Sequence, residues 1–250
     1  MKLKPCIKYN LHDKLLPISI FYIVFYGFFA FFISMNILKF SFFNYPFEKV
    51  ELASLVFIFI MGLNSFKSPF LFQLSNGSSR KTVFTSFFAC LIPISLLFSL
   101  TNIINAIVIP RFITFETVYG SLYGRGMDTA DLILSFIWLF LLHIAVASLG
   151  YFITLLYYRM NTLLKYIVSF GIPLLYVIVT PIISHYTSTH YNPDFSECLL
   201  TLLGVTYDIN TSSRLIRANP SISFITFSVM ILFFAFFSFL LIRKAPLKQH

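Results

Sequence analysis

The sequence predicts an all-α integral membrane protein, with six transmembrane helices in a single domain that covers residues 1–250. Its composition is the first reason: 58% of the 250 residues are hydrophobic and 11% are charged, whereas a soluble domain is nearer half apolar and a quarter charged. The second is that its apolar runs are continuous over roughly 20 residues, the length that a helix needs to cross a bilayer. A transmembrane β-barrel would instead alternate apolar and polar residues.

The first 14 residues, MKLKPCIKYNLHDK, are basic. Apolar residues in and just after them recur at roughly helical spacing: Leu3, Cys6, Ile7, Leu11 and Leu15. This pattern predicts a short amphipathic helix on an anionic membrane surface; a frayed basic terminus that only fixes the topology is the alternative. The first span follows over residues 15–38, with Pro17 in its first turn, where the missing N–H costs nothing.

The second span covers residues 50–66 and is short for a bilayer. Lys67 follows it and can extend its ammonium group to the membrane surface. We expect the helix to break near Ser68 and Pro69, and a short helix to lie along the membrane within the cytoplasmic loop 67–82.

A turn at Asn76 and Gly77 separates that short helix from the third span. Ser78 or Ser79 is expected to cap the first turn of the next helix. The third span covers residues 83–109 and contains one proline, which predicts a kink.

Three connections of different lengths and polarity precede the fourth, fifth and sixth spans. The loop 110–131 is polar and lies outside, and the loop after the fourth span is brief and basic. Before the last span comes a longer outer segment, 185–220, in which Glu197–Val205 is apolar enough to dip back into the membrane as a re-entrant stretch. The predicted spans are residues 132–158, 166–184 and 221–242.

The charges indicate the orientation. Six spans put both termini on one side, and the regions on that side hold 12 of the 18 Lys and Arg residues and one of the nine acidic residues. The positive-inside rule therefore predicts that both termini are cytoplasmic. Because the formal charge of +9 lies between the spans, it favours the lipid bilayer over nucleic acid as a partner.

Few residues suggest chemistry within the chain. There is no Gly-rich phosphate loop, no metal or redox spacing among the three cysteines and no acidic residue inside the predicted spans. We therefore predict that the chain is not an enzyme and holds no metal. Asn102, Asn105 and His143 are candidate polar residues of a translocation path, although a lone intramembrane histidine is more often hydrogen-bonded within the bundle.

The stretch SNGSSRKTVF, residues 75–84, resembles the Asn-Gly-x-Ser-Arg-Lys-Thr pattern of ABC-2-type permeases, the membrane subunits of bacterial ABC exporters. The six spans, the basic N-terminal helix and the long outer segment are similar to that family across nearly the whole chain. The resemblance implies a half-transporter of the bacterial plasma membrane that pairs with a second copy or a sister permease. It binds no cofactor, because ATP and Mg belong to cytoplasmic ABC ATPase subunits supplied as separate chains.

In that family a coupling helix docks in a groove of the ATPase, and here it corresponds to residues 69–74. An ordinary cytoplasmic turn, in which Arg80 and Lys81 serve only topology, is the alternative. The implied coupling residues are Phe70, Phe72, Gln73, Leu74, Asn76, Gly77, Ser78, Ser79, Arg80 and Lys81, and a second, smaller contact comprises Arg159, Asn161 and Lys165.

The small, Phe- and Ile-rich form of the permease is similar to Gram-positive exporters of amphipathic or antimicrobial peptides, including phenol-soluble modulins. This implies export of hydrophobic or amphipathic compounds, peptides above all, in toxin release or antimicrobial resistance; a lipid or glycan cargo stays open. The alternative from another class is a membrane interaction protein that does not transport, such as an immunity factor or a sensor partner. A transporter of this kind needs a docked ATPase, whereas an interaction protein does not.

Overall fold

The computed structural model describes residues 3–37, 47–112, 115–124, 128–161, 163–169, 200–207 and 215–243, and these are mostly helical. The named helices are α1 (Leu3–Ile37), α2 (Glu51–Asn64), α3 (Lys67–Ser75), α4 (Arg80–Val108), α5 (Val118–Tyr123), α6 (Thr129–Arg159) and α7 (Pro220–Arg243). Residues 163–169 are also helical.

Four of the described helices, α1, α4, α6 and α7, are long and apolar enough to cross a membrane. Helices α2 and α3 meet the same criterion together and are bent by 40° at the break between them. The prediction of a helical chain with membrane-like apolar helices is therefore confirmed. Six spans stay a prediction, because most of the predicted fifth span, 166–184, and much of the outer segment 185–220 lie outside the described residues.

Helix α1 differs from its prediction. It is continuous from Leu3 to Ile37, and Pro17 lies inside it rather than in a first turn. A separate surface helix before Leu15 is therefore wrong, whereas the start of the first span at residue 15 stays a prediction. The reason is tertiary packing: Cys6 and Asn10 are buried and hydrogen-bonded to residues after α2, which holds this half of the helix in line with the rest.

Short strands connect the helices at the end of the bundle where α5 lies. Strands β1 (Phe47–Glu48) and β2 (Phe115–Glu116) form a parallel pair. Strands β3 (Val205–Tyr207) and β4 (Leu215–Ala218) form an antiparallel pair with a register shift. We call this the α5 end of the bundle, and the opposite end the α3 end.

Helices α6 and α7 lie side by side and run in the same direction. Near their first residues, the indole N–H of Trp138 donates to Ser223 Oγ at 3.0 Å. Farther along both helices, the ring centroids of Phe152 and Phe234 are 5.5 Å apart. Both helices thus run from the α5 end to the α3 end.

Helices α2 and α6 pack with their backbones almost in contact. A Cβ on Gly150 would lie 2.6 Å from the carbonyl oxygen of Phe59, and a Cβ on Gly62 would meet the carbonyl of Ala147. Small residues that let two helices approach so closely are typical of helix pairs in membranes. The same seam carries a hydrogen bond from Thr154 Oγ1 to the carbonyl of Leu63 at 2.6 Å.

Two clusters of buried side chains form the core. The larger lies toward the α3 end and is rich in aromatic rings; in it, Phe87 of α4 stacks on Tyr151 of α6 with centroids 3.9 Å apart. The smaller lies at the α5 end around Tyr123 and Trp138. There, burial raises the pKa of Tyr123, so its phenol stays protonated beside the carbonyl oxygen of Leu203, 2.8 Å away.

Candidate functional site

The candidate site is the segment from α3 through the start of α4, at the α3 end of the bundle. Helix α2 ends at Asn64, two residues intervene, and α3 then leaves at an angle. Gly77 adopts a left-handed φ of 72° and reverses the chain after α3. Ser79 caps α4, because its hydroxyl accepts a hydrogen bond from the N–H of Thr82 at 3.2 Å. The predicted turn and the cap at Ser79 are therefore confirmed.

The break before α3 comes earlier than predicted. The sequence indicated Ser68 and Pro69, whereas both residues lie in the first turn of α3. The N–H groups of a helix's first turn have no partner within the helix, so Pro69 is tolerated there. The first intrahelical bond, from the N–H of Phe70 to the carbonyl of Phe66 at 2.8 Å, begins one residue later.

The side chains of α3 divide between the bundle and the surface. Phe70 is fully buried and Gln73 is 3% exposed, whereas Phe72 is 49% exposed. Assigning Phe70 and Gln73 to a docking surface is therefore wrong for this conformation. Phe70, Phe72 and Leu74 follow one another at intervals of two residues, which is the period of a strand. With 3.6 residues per helical turn, Phe70 and Phe72 lie on different sides of α3.

The other predicted coupling residues also differ in exposure. Ser78 is buried, and Leu74 and Arg80 are half-buried. Arg80 Nη1 donates to the carbonyl oxygen of Arg243 at the end of α7, at 2.7 Å. The exposed members of the predicted set are Phe72, Asn76, Gly77, Ser79 and Lys81.

Buried side chains tie α3 to α1 and α4 through a closed ring of hydrogen bonds. Gln73 Nε2 donates to Asn10 Oδ1 at 2.7 Å, and Asn10 Nδ2 donates to Ser86 Oγ at 3.0 Å. The one hydroxyl hydrogen of Ser86 is shared between the carbonyl oxygen of Val83 at 2.8 Å and Gln73 Oε1 at 3.4 Å, so the ring is closed by its weakest contact. Beside it, Cys6 Sγ lies 3.2 Å from Ser78 Oγ. The sequence analysis did not identify Asn10 and Ser86. Cys6, Asn10 and Lys14 are spaced by four residues, and this spacing could have indicated a buried face of α1.

Aromatic contacts tie the same segment to α6. The rings of Phe66 and Phe70 are stacked with centroids 4.7 Å apart. Tyr158, in the last turn of α6, meets both rings edge-on at 5.2 and 6.2 Å. On the outer side, Tyr9 of α1 stacks on Phe72 at 4.5 Å. The segment therefore touches α1, α4, α6 and α7 as well as α2.

The second predicted contact lies at the same end of the bundle. Arg159 is the last residue of α6 and follows Tyr158, which packs on Phe66. Arg159 and Asn161 are exposed and Lys165 is half-buried. The structure thus brings the two predicted contact regions to one end of the described bundle.

The three candidate polar residues of a translocation path are buried between helices. The two ring nitrogens of His143 lie 3.2 Å from Ser54 Oγ and 3.1 Å from Ser99 Oγ. Asn102 Nδ2 donates to Ser54 Oγ at 2.9 Å. Asn105 accepts a hydrogen bond from the hydroxyl of Tyr26 at 3.1 Å. These contacts join helices to one another within the chain.

Comparisons with protein-family models, with curated proteins and with solved structures found no match.

Proposed function

We propose that this chain is the membrane-spanning subunit of an ATP-driven ABC exporter, coupled at the α3 end to ATPase subunits supplied as separate chains. One observation supports this above the rest: the segment from α3 through the start of α4 contacts α1, α6 and α7 near the α3 end while exposing Phe72 and Lys81. A force on this segment therefore reaches every long helix described.

The proposed orientation puts the α3 end in the cytoplasm. The described residues at that end include many cations and one acid, Asp13. The α5 end carries most of the acidic residues. This asymmetry follows the positive-inside rule. The cations are Lys4, Lys8, Lys14, Lys67, Arg80, Lys81, Arg159, Lys165 and Arg243.

The proposal includes six spans, and the directions of α6 and α7 support that number. Because α6 and α7 run in parallel, the chain that connects them must return from the α3 end to the α5 end. The connection runs from residue 160 to residue 219 and includes the predicted fifth span, 166–184. With that crossing, both termini lie on one side.

The cargo path is proposed to run along the surface between two permease subunits. His143, Asn102 and Asn105 make their polar contacts inside one chain, so they hold the bundle together and leave its outer surface to form the path. That surface is strongly apolar and aromatic, which suits a hydrophobic or amphipathic compound such as a peptide exported in toxin release or resistance.

The experiment is purification of the tagged full-length chain from its native membranes, with mass spectrometry of its partners and assay of ATP hydrolysis. We expect an ATPase with a phosphate-binding loop to accompany the chain. Changing Phe72→Ala together with Lys81→Glu should remove most of that ATPase, because both side chains are exposed on the proposed docking surface.

The matched control is Phe112→Ala, which removes another exposed phenylalanine, 62% exposed, near the α5 end. It should leave ATPase binding unchanged. Purification of the well-folded chain without any nucleotide-binding protein would contradict the proposal and favour a membrane interaction protein that does not transport.

A further inference from the structure

A long apolar groove runs along α1 where this helix meets α2. Its volume is about 630 Å³, and its lining is almost entirely nonpolar. Its aromatic rings include Phe21 and Phe57, stacked with centroids 4.5 Å apart. The lining residues are Leu16, Pro17, Ile20, Phe21, Val24, Phe25, Phe28 and Phe57.

A small cavity of about 120 Å³, half of whose lining residues are polar, continues the same seam between α1 and α2 toward the α3 end. The groove and the cavity share Pro17 and Phe57. Asn64 and Ser65, at the break after α2, give the cavity amide and hydroxyl groups, and Lys14 of α1 gives it a cation. One continuous seam thus changes from apolar to polar at the end of the helices.

Lys14 is the unusual side chain of this cavity because it is only 4% exposed. Among the residues that the structure describes, none accepts a hydrogen bond from its Nζ. The neighbouring Asp13 also lines the cavity, but it is exposed. The carboxylate of Asp13 attracts the ammonium group, but no hydrogen bond joins the two side chains. A desolvated charge is stabilised by hydrogen bonds from an anion, so the cavity is suited to a ligand that brings a negative charge.

The dimensions of the seam match one leaflet of a membrane. The 12 residue steps from Leu16 to Phe28 correspond to about 18 Å at 1.5 Å per residue. Half of a hydrocarbon core about 30 Å thick is roughly 15 Å. An acyl chain lying in the groove would therefore end at the depth of the bilayer centre, with its headgroup at the polar cavity.

We propose that this seam binds one phospholipid of the leaflet at the α3 end, with its phosphate on Lys14 and one acyl chain in the α1 groove. Asn64 donates a further hydrogen bond to the headgroup, whereas the hydroxyl of Ser65 already donates to the carbonyl oxygen of Met61 and can only accept one. Asp13, at the mouth, accepts from a headgroup that carries a donor, such as a glycerol hydroxyl or an ethanolamine ammonium group.

Other occupants fit only part of the seam. Inorganic phosphate would use Lys14, leave the groove empty and meet the carboxylate of Asp13. A second copy of the chain, or a wholly apolar cargo, would fill the groove and leave Lys14 without an anion. A phospholipid satisfies both parts at once, whether or not the chain is a transporter.

The test is native mass spectrometry of the full-length chain released from detergent after incubation with phosphatidylglycerol. Diacylglycerol with the same acyl chains and inorganic phosphate alone are the comparison probes. We expect one phosphatidylglycerol to remain bound and neither comparison probe to do so. Lys14→Met should weaken retention by roughly tenfold or more, as loss of a charge-assisted hydrogen bond implies. Ile20→Trp should also weaken it by filling the groove.

Two matched controls make the result specific. Lys8→Met removes a cation from an exposed position of the same helix, and Ile225→Trp enlarges an apolar side chain, 66% exposed, on α7. Both should retain the lipid. Equal retention by all four variants, equal binding of diacylglycerol, or binding of phosphate alone would overturn the proposal. ATPase capture is measured separately, so the two proposals fail independently.

Discussion

Three polar side chains from three helices, Asn10, Gln73 and Ser86, close a ring of hydrogen bonds at the α3 end. All three are buried, and Asn10 and Gln73 satisfy polar atoms whose burial without partners would cost free energy. Polar groups that satisfy one another in this way rigidify the place where they meet. The ring is what makes α3 move with α1 and α4.

Gln73→Leu should destabilise the protein, because it leaves the amide of Asn10 buried with fewer partners. The expected loss is about 1–3 kcal/mol, the cost of an unsatisfied buried polar group. Thermal unfolding in detergent measures it. Ser75→Ala is the control, since that exposed hydroxyl bonds only to the carbonyl of Phe72 in its own helix, and it should change the midpoint little.

A double variant decides whether the ring acts as a unit. Asn10→Leu with Gln73→Leu should cost less than the sum of the two single changes, because contacting residues are not additive. Strict additivity would show that the two side chains stabilise their helices independently.

At the scale of elements, the close packing of α2 against α6 depends on glycines, which have no side chain to keep the two backbones apart. Adding a Cβ at Gly150 would place it 2.6 Å from the carbonyl oxygen of Phe59 and 3.0 Å from the N–H nitrogen of Leu63. Both atoms belong to the backbone, so they yield only if the helices separate.

Gly150→Ala should therefore lower the unfolding temperature in detergent, despite alanine's better helix propensity, which is worth about 1 kcal/mol. Gly27→Ala is the matched control, because no atom lies within 4 Å of a Cβ there, and it should leave stability unchanged or raise it. Equal behaviour of the two variants would show that α2 and α6 are not held this closely.

Much of the element pattern could be predicted from the sequence, because long apolar runs, the turn at Gly77 and the cap at Ser79 are local signals. The continuity of α1 could not, since it depends on where Cys6 and Asn10 find partners some 70 residues away. The burial of Phe70 could not be predicted for a similar reason: an apolar side chain on a short helix suits a partner protein and the chain's own core equally well.

At the scale of the whole molecule, the parallel course of α6 and α7 constrains the topology. Trp138 meets Ser223 at one end of the pair, and Phe152 meets Phe234 toward the other. Arg159, at the end of α6, and Ser221, at the start of α7, therefore lie at opposite ends of the bundle. In a membrane these two residues should face opposite compartments, which makes the topology measurable without knowledge of the cargo.

Cysteines at these positions test this directly. Arg159→Cys and Ser221→Cys, each exposed, are introduced separately after Cys6, Cys90 and Cys198 have been replaced by alanine, and intact cells are treated with a membrane-impermeant maleimide. We expect labelling at position 221 and none at position 159 until the membrane is opened. Ser75→Cys, at the α3 end, should behave like position 159. If positions 159 and 221 react from the same side, the chain crosses the membrane an even number of times between them. The six-span topology with cytoplasmic termini then fails together with the docking geometry proposed for α3.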